Sequence, residues 1–189
     1  MAIPYLSAEY PLRFAHRGSR VLWPENTAEA FQGAIDLGYT YIETDVRITR
    51  DGVVVAFHDS TLERTTNGAG PVDRWDLVDL QRLDAAWWFD AENGFPLRGT
   101  GVKVRTLSEV FAMWPGAYFN IDLKGSDLEW AVADVIKRHG REATTMIGSF
   151  MDHRVAKFRR ITRGEIGVSA GPSSVLAMVA ASRLGRTVR

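Results

Sequence analysis

Residues 39–52, YTYIETDVRITRDG, decide the fold, because an apolar, β-rich run here contains two acidic residues and is followed by a turn signal. Glu43 and Asp45 stand two positions apart, and residues at i and i+2 of a strand lie on one face. Asp51-Gly52 is typical of a tight, hairpin-like turn into another strand. We therefore predict a strand that presents two carboxylates side by side, facing a cation rather than a structural partner.

Two further apolar runs flank this strand, and each ends in a histidine. LRFAH (12–16) ends at His16, and VVVAFH (53–58) ends at His58. Three strands would therefore deliver two imidazoles and two carboxylates near their C-terminal ends. That inventory suits a divalent cation held by oxygen ligands, with general acid–base catalysis beside it.

The rest of the chain alternates predicted strands with predicted helices. Helix caps are expected at Asn26 or Thr27, Thr106, Ser126 and Asp152, since such side chains accept hydrogen bonds from the first helical turn. We predict strands over 12–16, 39–48, 53–58, 117–123, 144–150 and 166–170, and helices over 27–37, 73–83, 106–114, 126–139, 152–163 and 172–184.

This alternation predicts an α/β fold of the (β/α)8 TIM-barrel type with parallel strands. Six βα units can be counted, so the last two units are missing, and a small insertion over 60–105 follows strand 3. We expect one domain over 1–189, either a fragment or a divergent barrel whose two open edges must be covered. Association of identical chains through strands one and six is expected, whereas residues 1–11 are expected to form a loosely held arm.

Composition narrows the class of protein. The 189 residues are 46% hydrophobic and carry 23 basic and 23 acidic side chains, which argues against nucleic acid as a partner. Cysteine is absent, so neither disulfides nor Cys-based metal sites are expected. Neither a secretory signal nor an apolar run of about 20 residues occurs, so we expect a cytoplasmic protein without stable membrane insertion.

Several short motifs occur together in a fixed order. FAHRG, PENT with AF behind it, the Glu-x-Asp strand, TRDG, and FHD followed by LERTTNGAG extend from His16 to Gly70, and LQRLDAAWWF, TLSEVF and FNIDLK follow. Together they closely resemble the glycerophosphodiester phosphodiesterase family. The resemblance implies a metal-dependent hydrolase that acts on small glycerophosphodiesters.

The resemblance also implies a role for each candidate site residue. Glu43 and Asp45 would be metal ligands, with Asp122 of FNIDLK as the third, where the family more often has Glu. His16 and His58 would be the acid and the base, in an order that the sequence leaves open. Arg17 and Lys124 would bind the substrate phosphate. The cation would be Mg²⁺ or Ca²⁺, with Mn²⁺ a further candidate.

Other polar and aromatic residues have simpler interpretations. Asn26 is read as a helix cap, Asn120 as support for Asp122 or a histidine, and Arg64–Gly68 as a tight turn rather than an anion-binding loop. Trp87, Trp88 and Phe89 are expected to pack within the insertion, although one of them would contact the substrate alcohol if the family pattern holds. The basic stretch 153–163 is expected to be a solvated helix face.

Three functions remain open on the sequence alone. The first is hydrolysis of a glycerophosphodiester to an alcohol and sn-glycerol 3-phosphate. The second is a phospholipase D-like cleavage of lysophospholipids that yields a cyclic phosphate. The third is a non-catalytic protein that binds a phospho-ligand, or an inert truncated form. The attacking hydroxyl would come from water or from the glycerol 2-hydroxyl of the substrate.

Overall fold

The computed structural model describes Tyr5 and residues 11–183 of the chain. Strands and helices alternate through this range, as the sequence predicts. The strands are β1 (Phe14–His16), β2 (Tyr41–Ile48), β3 (Val54–Ala56), β4 (Tyr118–Leu123), β5 (Thr145–Gly148) and β6 (Gly167–Val168). The helices are α1 (Ala28–Asp36), α2 (Leu77–Leu80), α3 (Leu107–Met113), α4 (Glu129–Arg138), α5 (Asp152–Ile161) and α6 (Pro172–Arg183).

The strands form one sheet in the order β1-β2-β4-β5-β6, and every neighbouring pair in this series is parallel. This confirms the predicted α/β fold class with parallel strands. The assignment of β3 to the parallel series is wrong, because β3 pairs antiparallel with the C-terminal end of β2, residues 46–48. A tight turn at Asp51-Gly52 sends the chain straight back, and a parallel neighbour would require a long crossover instead. The described sheet therefore has five parallel strands and one hairpin strand.

Two clusters of buried apolar side chains hold the described residues together. The larger cluster lies between the sheet and the helices and includes Phe31, Ile42, Phe119 and Phe158. The smaller cluster joins β3 to the segment that follows it and includes Val55, Leu62, Leu80 and Val104. The predicted insertion over 60–105 thus has apolar packing of its own, while a single domain over 1–189 stays a prediction.

The approach of helix α1 to strand β1 depends on a glycine. Gly18 has a φ of +71°, and a Cβ atom added there would lie 2.7 Å from the backbone carbon of Ala30 and from the ring of Phe31. Only glycine adopts this backbone conformation without cost and leaves room for the helix. The loop between β1 and α1 is therefore tightly packed against the helix that follows it.

The predicted helix caps have mixed outcomes. Thr106 and Glu109 form a capping box at the start of α3, as predicted. The Ser126 and Asp152 caps are wrong, because the N-cap positions of α4 and α5 are Leu128 and Met151, which make no side-chain capping bonds. Asp152 instead accepts a hydrogen bond from the Ser173 amide at the start of α6.

The N-terminal arm was expected to be loosely held, and this is wrong at Tyr5. Its ring is 1% exposed and packs edge-on against Tyr41 and Tyr118, at the beginnings of β2 and β4. The Tyr41 hydroxyl donates a hydrogen bond to the Tyr5 carbonyl at 2.7 Å. The other residues of 1–10, and the end of the helix predicted over 172–184, lie outside the described residues. Within the described range, no helix combines the length and apolar character needed to cross a bilayer.

Candidate functional site

The predicted acidic residues lie on two neighbouring strands. In the parallel pairing of β2 with β4, Asp45 is opposite Asp122 and Glu43 is opposite Asn120. Strand β1 pairs on the other side of β2 and places His16 opposite Glu43. Since residues at i and i+2 share a face, these side chains project to one side of the sheet. The structure therefore brings together His16, Glu43, Asp45 and Asp122.

Asp45 is the most enclosed of the three carboxylates, and both of its oxygens have partners. Its Oδ2 atom accepts a hydrogen bond from Asn26 Nδ2 at 3.1 Å and lies 3.1 Å from Arg17 Nε. Its Oδ1 atom lies 3.2 Å from Lys124 Nζ. The expectation that Asp45 has no structural partner is therefore wrong. A carboxylate that is 1% exposed requires compensating charge, and Arg17 and Lys124 supply it.

Glu43 and His16 form the more open part of this group. Glu43 Oε2 accepts a hydrogen bond from the Arg17 amide at 3.0 Å and lies 3.8 Å from His16 Nε2. Burial, and then the neighbouring Asp45 carboxylate, raise the pKa of Glu43 to about 7. Burial, followed by the nearby cations Arg17 and Arg20, lowers the pKa of His16. A neutral, half-exposed imidazole beside a carboxylate can accept a proton from a substrate or a water.

The loop between β1 and α1 is folded back onto β2 by polar contacts. Arg17 and Asn26 have φ values of +53° and +58°, a conformation that costs about 1–2 kcal/mol for a non-glycine residue. Arg17 Nη1 donates to Glu25 Oε1 at 3.0 Å, and Thr44 Oγ1 donates to Asn26 Oδ1 at 2.8 Å. Thr27, not Asn26, caps α1. Asn26 therefore belongs to the candidate site, where it contacts Asp45 and Thr44. The sequence pattern indicated only a helix cap at this position.

His58 belongs to a second group of charged residues, which the sequence did not predict. Its Nδ1 atom lies 2.6 Å from Asp59 Oδ1, and Asp59 also accepts a hydrogen bond from Arg64 Nε. Two further nitrogens of Arg64 donate to the Glu25 carboxylate at 2.6 and 2.9 Å. Because Glu25 also binds Arg17, an unbroken series of ion pairs joins the loop after β1 to the loop after β3. The sequence predicts only a turn that begins at Arg64. Its role in connecting the two loops is visible only from its ion pairs with Asp59 and Glu25.

A cavity of about 490 Å³ lies beside the acidic group. His58, Asp122 and Lys124 line it, so His58 faces the same space as one predicted metal ligand and one predicted phosphate ligand. Lys124 Nζ lies 2.7 Å from Asp122 Oδ2. Burial would lower the pKa of Lys124, but its ion pairs with Asp122 and Asp45 raise it above the usual value. Lys124 therefore remains a cation in the lining of the cavity.

Carboxylate oxygens are suitable ligands for a hard divalent cation. The three predicted ligands Glu43, Asp45 and Asp122 are not, however, arranged around a common coordination position. Asp122 Oδ1 is buried and makes no hydrogen bond with any described residue, so one anionic oxygen is left for a ligand. Burial and the Asp45 carboxylate raise the pKa of Glu43 despite the nearby Arg17, so a further cation beside Glu43 would favour its ionised form. Within the described residues, however, no three His, Asp or Glu side chains are placed to hold an ion. Lys124 neutralises Asp45 and Asp122 instead.

The insertion contributes aromatic side chains near Glu25 and Arg64. Trp88 is half exposed and, with Phe89, lines a cavity of about 270 Å³ that also contacts these two residues. The Arg98 guanidinium stacks 4.5 Å from the centre of the Trp87 ring. The aromatic residues therefore pack within the insertion, as expected, and Trp88 is also exposed to the cavity that Glu25 and Arg64 line.

A model of the "Glycerophosphoryl diester phosphodiesterase family" matches residues 16–169. A Mycobacterium tuberculosis protein named "Probable glycerophosphodiester phosphodiesterase 2" is 34% identical over 92% of this chain and 61% of its own length. A glycerophosphodiester phosphodiesterase from Bacillus subtilis is 32% identical over 82% of this chain and 58% of its own length. The chain thus spans about three fifths of the length of these curated relatives.

Two solved structures are similar to this chain in fold and also in sequence. The glycerophosphoryl diester phosphodiesterase domain of a Mycobacterium tuberculosis protein has a TM-score of 0.85 at 28% identity, over 95% of this chain and 66% of that one. An Oleispira antarctica phosphodiesterase, solved in complex with the product sn-glycerol-3-phosphate, has a TM-score of 0.72 at 29% identity, over 92% and 71%. Both support the barrel-type α/β fold.

Proposed function

The chain belongs to the glycerophosphoryl diester phosphodiesterase family, and from this premise we propose that it hydrolyses glycerophosphodiesters to an alcohol and sn-glycerol 3-phosphate. One observation carries the proposal: His16, Glu43, Asp45 and Asp122 project to one side of three neighbouring parallel strands. His16 is the last residue of β1 and Asp122 the second-last of β4, and active sites of (β/α) barrels are built at the C-terminal ends of the strands. The Oleispira antarctica relative in complex with sn-glycerol-3-phosphate supports the product.

His16 and His58 are proposed as the acid–base pair. His16 reaches the carboxylates from β1, whereas His58 faces the cavity that Asp122 and Lys124 also line. Cleavage of a phosphodiester needs one group to take a proton from the attacking hydroxyl and another to protonate the leaving alkoxide. The lowered pKa of His16 favours it as the base. His58 Nδ1 faces the Asp59 carboxylate, so the protonated, imidazolium form of His58 would keep its Nε2–H group free to donate a proton to the leaving oxygen.

Lys124 and Arg17 are proposed to bind the scissile phosphate. Lys124 already lies in the cavity, whereas Arg17 must exchange a contact with Asp45 or Glu25 before its guanidinium can turn to an oxyanion. A divalent cation, Mg²⁺, Ca²⁺ or Mn²⁺, would be held by Glu43, Asp45 and Asp122, and its charge would neutralise phosphoryl oxygens. Displacement of Lys124 from Asp45 and Asp122 would release that ammonium toward the phosphate.

Release of glycerol 3-phosphate from glycerophosphocholine, with and without EDTA, tests the proposal. We expect activity that EDTA removes and a divalent cation restores. His16→Ala and His58→Ala should each lower turnover by about 10²-fold or more, the scale of losing a positioned proton-transfer group. The His153→Ala control replaces an exposed histidine of α5 and should retain activity. Full turnover in either site variant would reject the acid–base assignment.

A phosphorus-31 spectrum of the product separates the proposed hydrolysis from its alternatives. An open monoester is expected, whereas a cyclic phosphate would indicate the phospholipase D-like reaction on lysophospholipids. No product from any glycerophosphodiester would favour a non-catalytic binding protein. A cytoplasmic location stays a prediction.

A further inference from the structure

Two arginines that the proposed reaction does not use face the cavity beside Lys124. Arg47 stands two positions after Asp45 on β2, so both side chains project from the same face of the strand. Its Nε atom donates to the His58 carbonyl at 2.9 Å. Arg154 lies in the first turn of α5, and its Nη1 atom donates to the Leu123 carbonyl at 2.9 Å. Each guanidinium is thus anchored by a backbone carbonyl and lines the cavity.

Neither arginine forms an ion pair with a described carboxylate, although Asp59 and Asp45 act on Arg47 from a greater distance. Throughout Tyr5 and 11–183, no carboxylate lies within ion-pair distance of Arg47 or Arg154, and Arg154 Nε is buried without a hydrogen-bond partner. The acidic residues of the cavity are already engaged, since Asp59 binds His58 and Arg64, and Asp122 binds Lys124. A partly buried cation without a direct ion-pair partner is costly, and a bound anion would reduce that cost. The lining of the cavity therefore offers two cationic side chains that could bind an anionic group.

We propose that Arg47 and Arg154 form a second anion-binding subsite, which takes a carboxylate or phosphate group carried by the alcohol portion of the substrate. This inference rests on the proposed function, because it assumes that a glycerophosphodiester is the substrate. The scissile phosphate is assigned to Lys124 and Arg17, and the glycerol portion offers only hydroxyl groups. A further anionic group can therefore belong only to the alcohol. The preferred substrates are glycerophosphodiesters with an anionic headgroup.

Two substrates that differ by one carboxylate test the specificity. Glycerophosphoserine carries a carboxylate that glycerophosphoethanolamine lacks, and the two are otherwise the same. We expect the wild-type chain to have the higher kcat/KM for glycerophosphoserine. Arg154→Gln should lower the ratio of the two kcat/KM values by about 10-fold, mainly through KM, which is the size of one lost charge-assisted hydrogen bond. Arg154→Lys should recover part of the ratio.

The matched control is Arg160→Gln, which removes an exposed arginine from the same helix. Its ratio should equal that of the wild type. An unchanged ratio in Arg154→Gln would overturn the inference. An equal fall for both substrates would also overturn it, since the arginines would then hold the phosphate that both substrates share.

Binding of inorganic phosphate separates this inference from the proposed reaction. Titration followed through the side-chain Nε–H signals of Arg47 and Arg154 should shift both signals, and it requires no turnover. If neither substrate is hydrolysed and both signals still shift, the proposed hydrolysis fails while the anion subsite stands. If phosphate leaves the two signals in place, the subsite is refuted whether or not the chain is active.

Discussion

At the scale of single residues, Arg64 connects two loops of the candidate site, the loop after β1 and the loop after β3. Its guanidinium contacts Glu25, which holds Arg17, and Asp59, which holds His58. Arg64→Ala should therefore lower kcat by about 10-fold or more without a comparable change in KM, because a misplaced catalytic group slows the chemical step. Nitrogen-15 spectra of the His58 ring should show loss of the tautomer that carries its proton on Nδ1.

Arg50→Ala is the matched control for Arg64, since Arg50 also forms a carboxylate pair, with Asp76, on the surface. Exposed ion pairs contribute about 0–1 kcal/mol, so kcat and the His58 spectrum should stay as in the wild type. Arg64→Lys keeps the charge but loses the fork that spans two carboxylates, and it should recover only part of the rate. An unaltered His58 tautomer in Arg64→Ala would exclude the positioning role.

Glu25 gives the site a dependence of stability on pH. Burial would raise the pKa of Glu25, but the Arg64 and Arg17 guanidiniums lower it below its usual value. A carboxyl whose folded-state pKa is lowered stabilises the fold above its unfolded pKa, and this contribution is lost as the pH falls through the folded-state value. Glu25→Gln should lower the free energy of unfolding by about 1–3 kcal/mol at pH 7 and by less near pH 3.5.

Urea unfolding at the two pH values measures this difference. Glu92→Gln makes the same chemical change at an exposed position and should stay within about 0.5 kcal/mol of the wild type at both. A loss in Glu25→Gln that is the same at pH 7 and pH 3.5 would mean that the ionised form of Glu25 does not stabilise the fold.

The sequence was sufficient for residues whose neighbours lie on the same or an adjacent strand. Glu43 and Asp45 share a face because a strand alternates with period two. Asp122 was selected by the resemblance to the family, and it lies opposite Asp45 on the neighbouring strand β4. Arg64 and Asn26 could not be predicted in this way. Their partners are 39 and 19 residues away along the chain, and nothing in the local pattern selects them.

At the scale of elements, the packing of β1 against α1 can be tested at Gly18. Alanine at its φ of +71° costs about 1–2 kcal/mol. The added Cβ would also meet the Ala30 backbone and the Phe31 ring at 2.7 Å, and such overpacking costs a further 1–3 kcal/mol or so. We expect Gly18→Ala to reduce the free energy of unfolding by about 2–5 kcal/mol, measured in urea.

Gly116→Ala is the control, because nothing lies within 4 Å of a Cβ atom placed there. At such a position alanine should change stability by less than about 1 kcal/mol. If both glycine variants unfold at the same urea concentration, the close approach of β1 and α1 does not limit the choice of residue.

The elements that were predicted wrongly share one physical cause. Asp51-Gly52 marked the hairpin turn correctly, but the parallel series was inferred from the count of strands, and β3 was counted within it. Likewise, Asp152 has the chemistry of a helix cap, yet its carboxylate accepts a hydrogen bond from Ser173 at the start of α6. A turn or a cap residue fixes local geometry, whereas the choice of partner depends on which elements pack nearby.

At the scale of the whole molecule, the described residues leave α6 exposed and the outer edges of β1 and β6 unpaired. None of the described residues of α6 is buried. Strands β1 and β6 each pair with one neighbour only in the described sheet. Strand edges with unpaired N–H and C=O groups are templates for pairing with another chain, and a contiguous apolar patch is typical of an interaction site. These surfaces are therefore the place where a second copy is expected to bind.

We predict that the chain associates with itself at micromolar concentration through β1, β6 and α6. Leu176 is 71% exposed on α6, so Leu176→Glu should place a charge in the contact and shift sedimentation toward the monomer. Leu37→Glu, at an apolar residue 59% exposed after α1, is the control and should sediment like the wild type. A wild-type chain that stays monomeric and resists protease would contradict the prediction, because its strand edges would then need no partner chain.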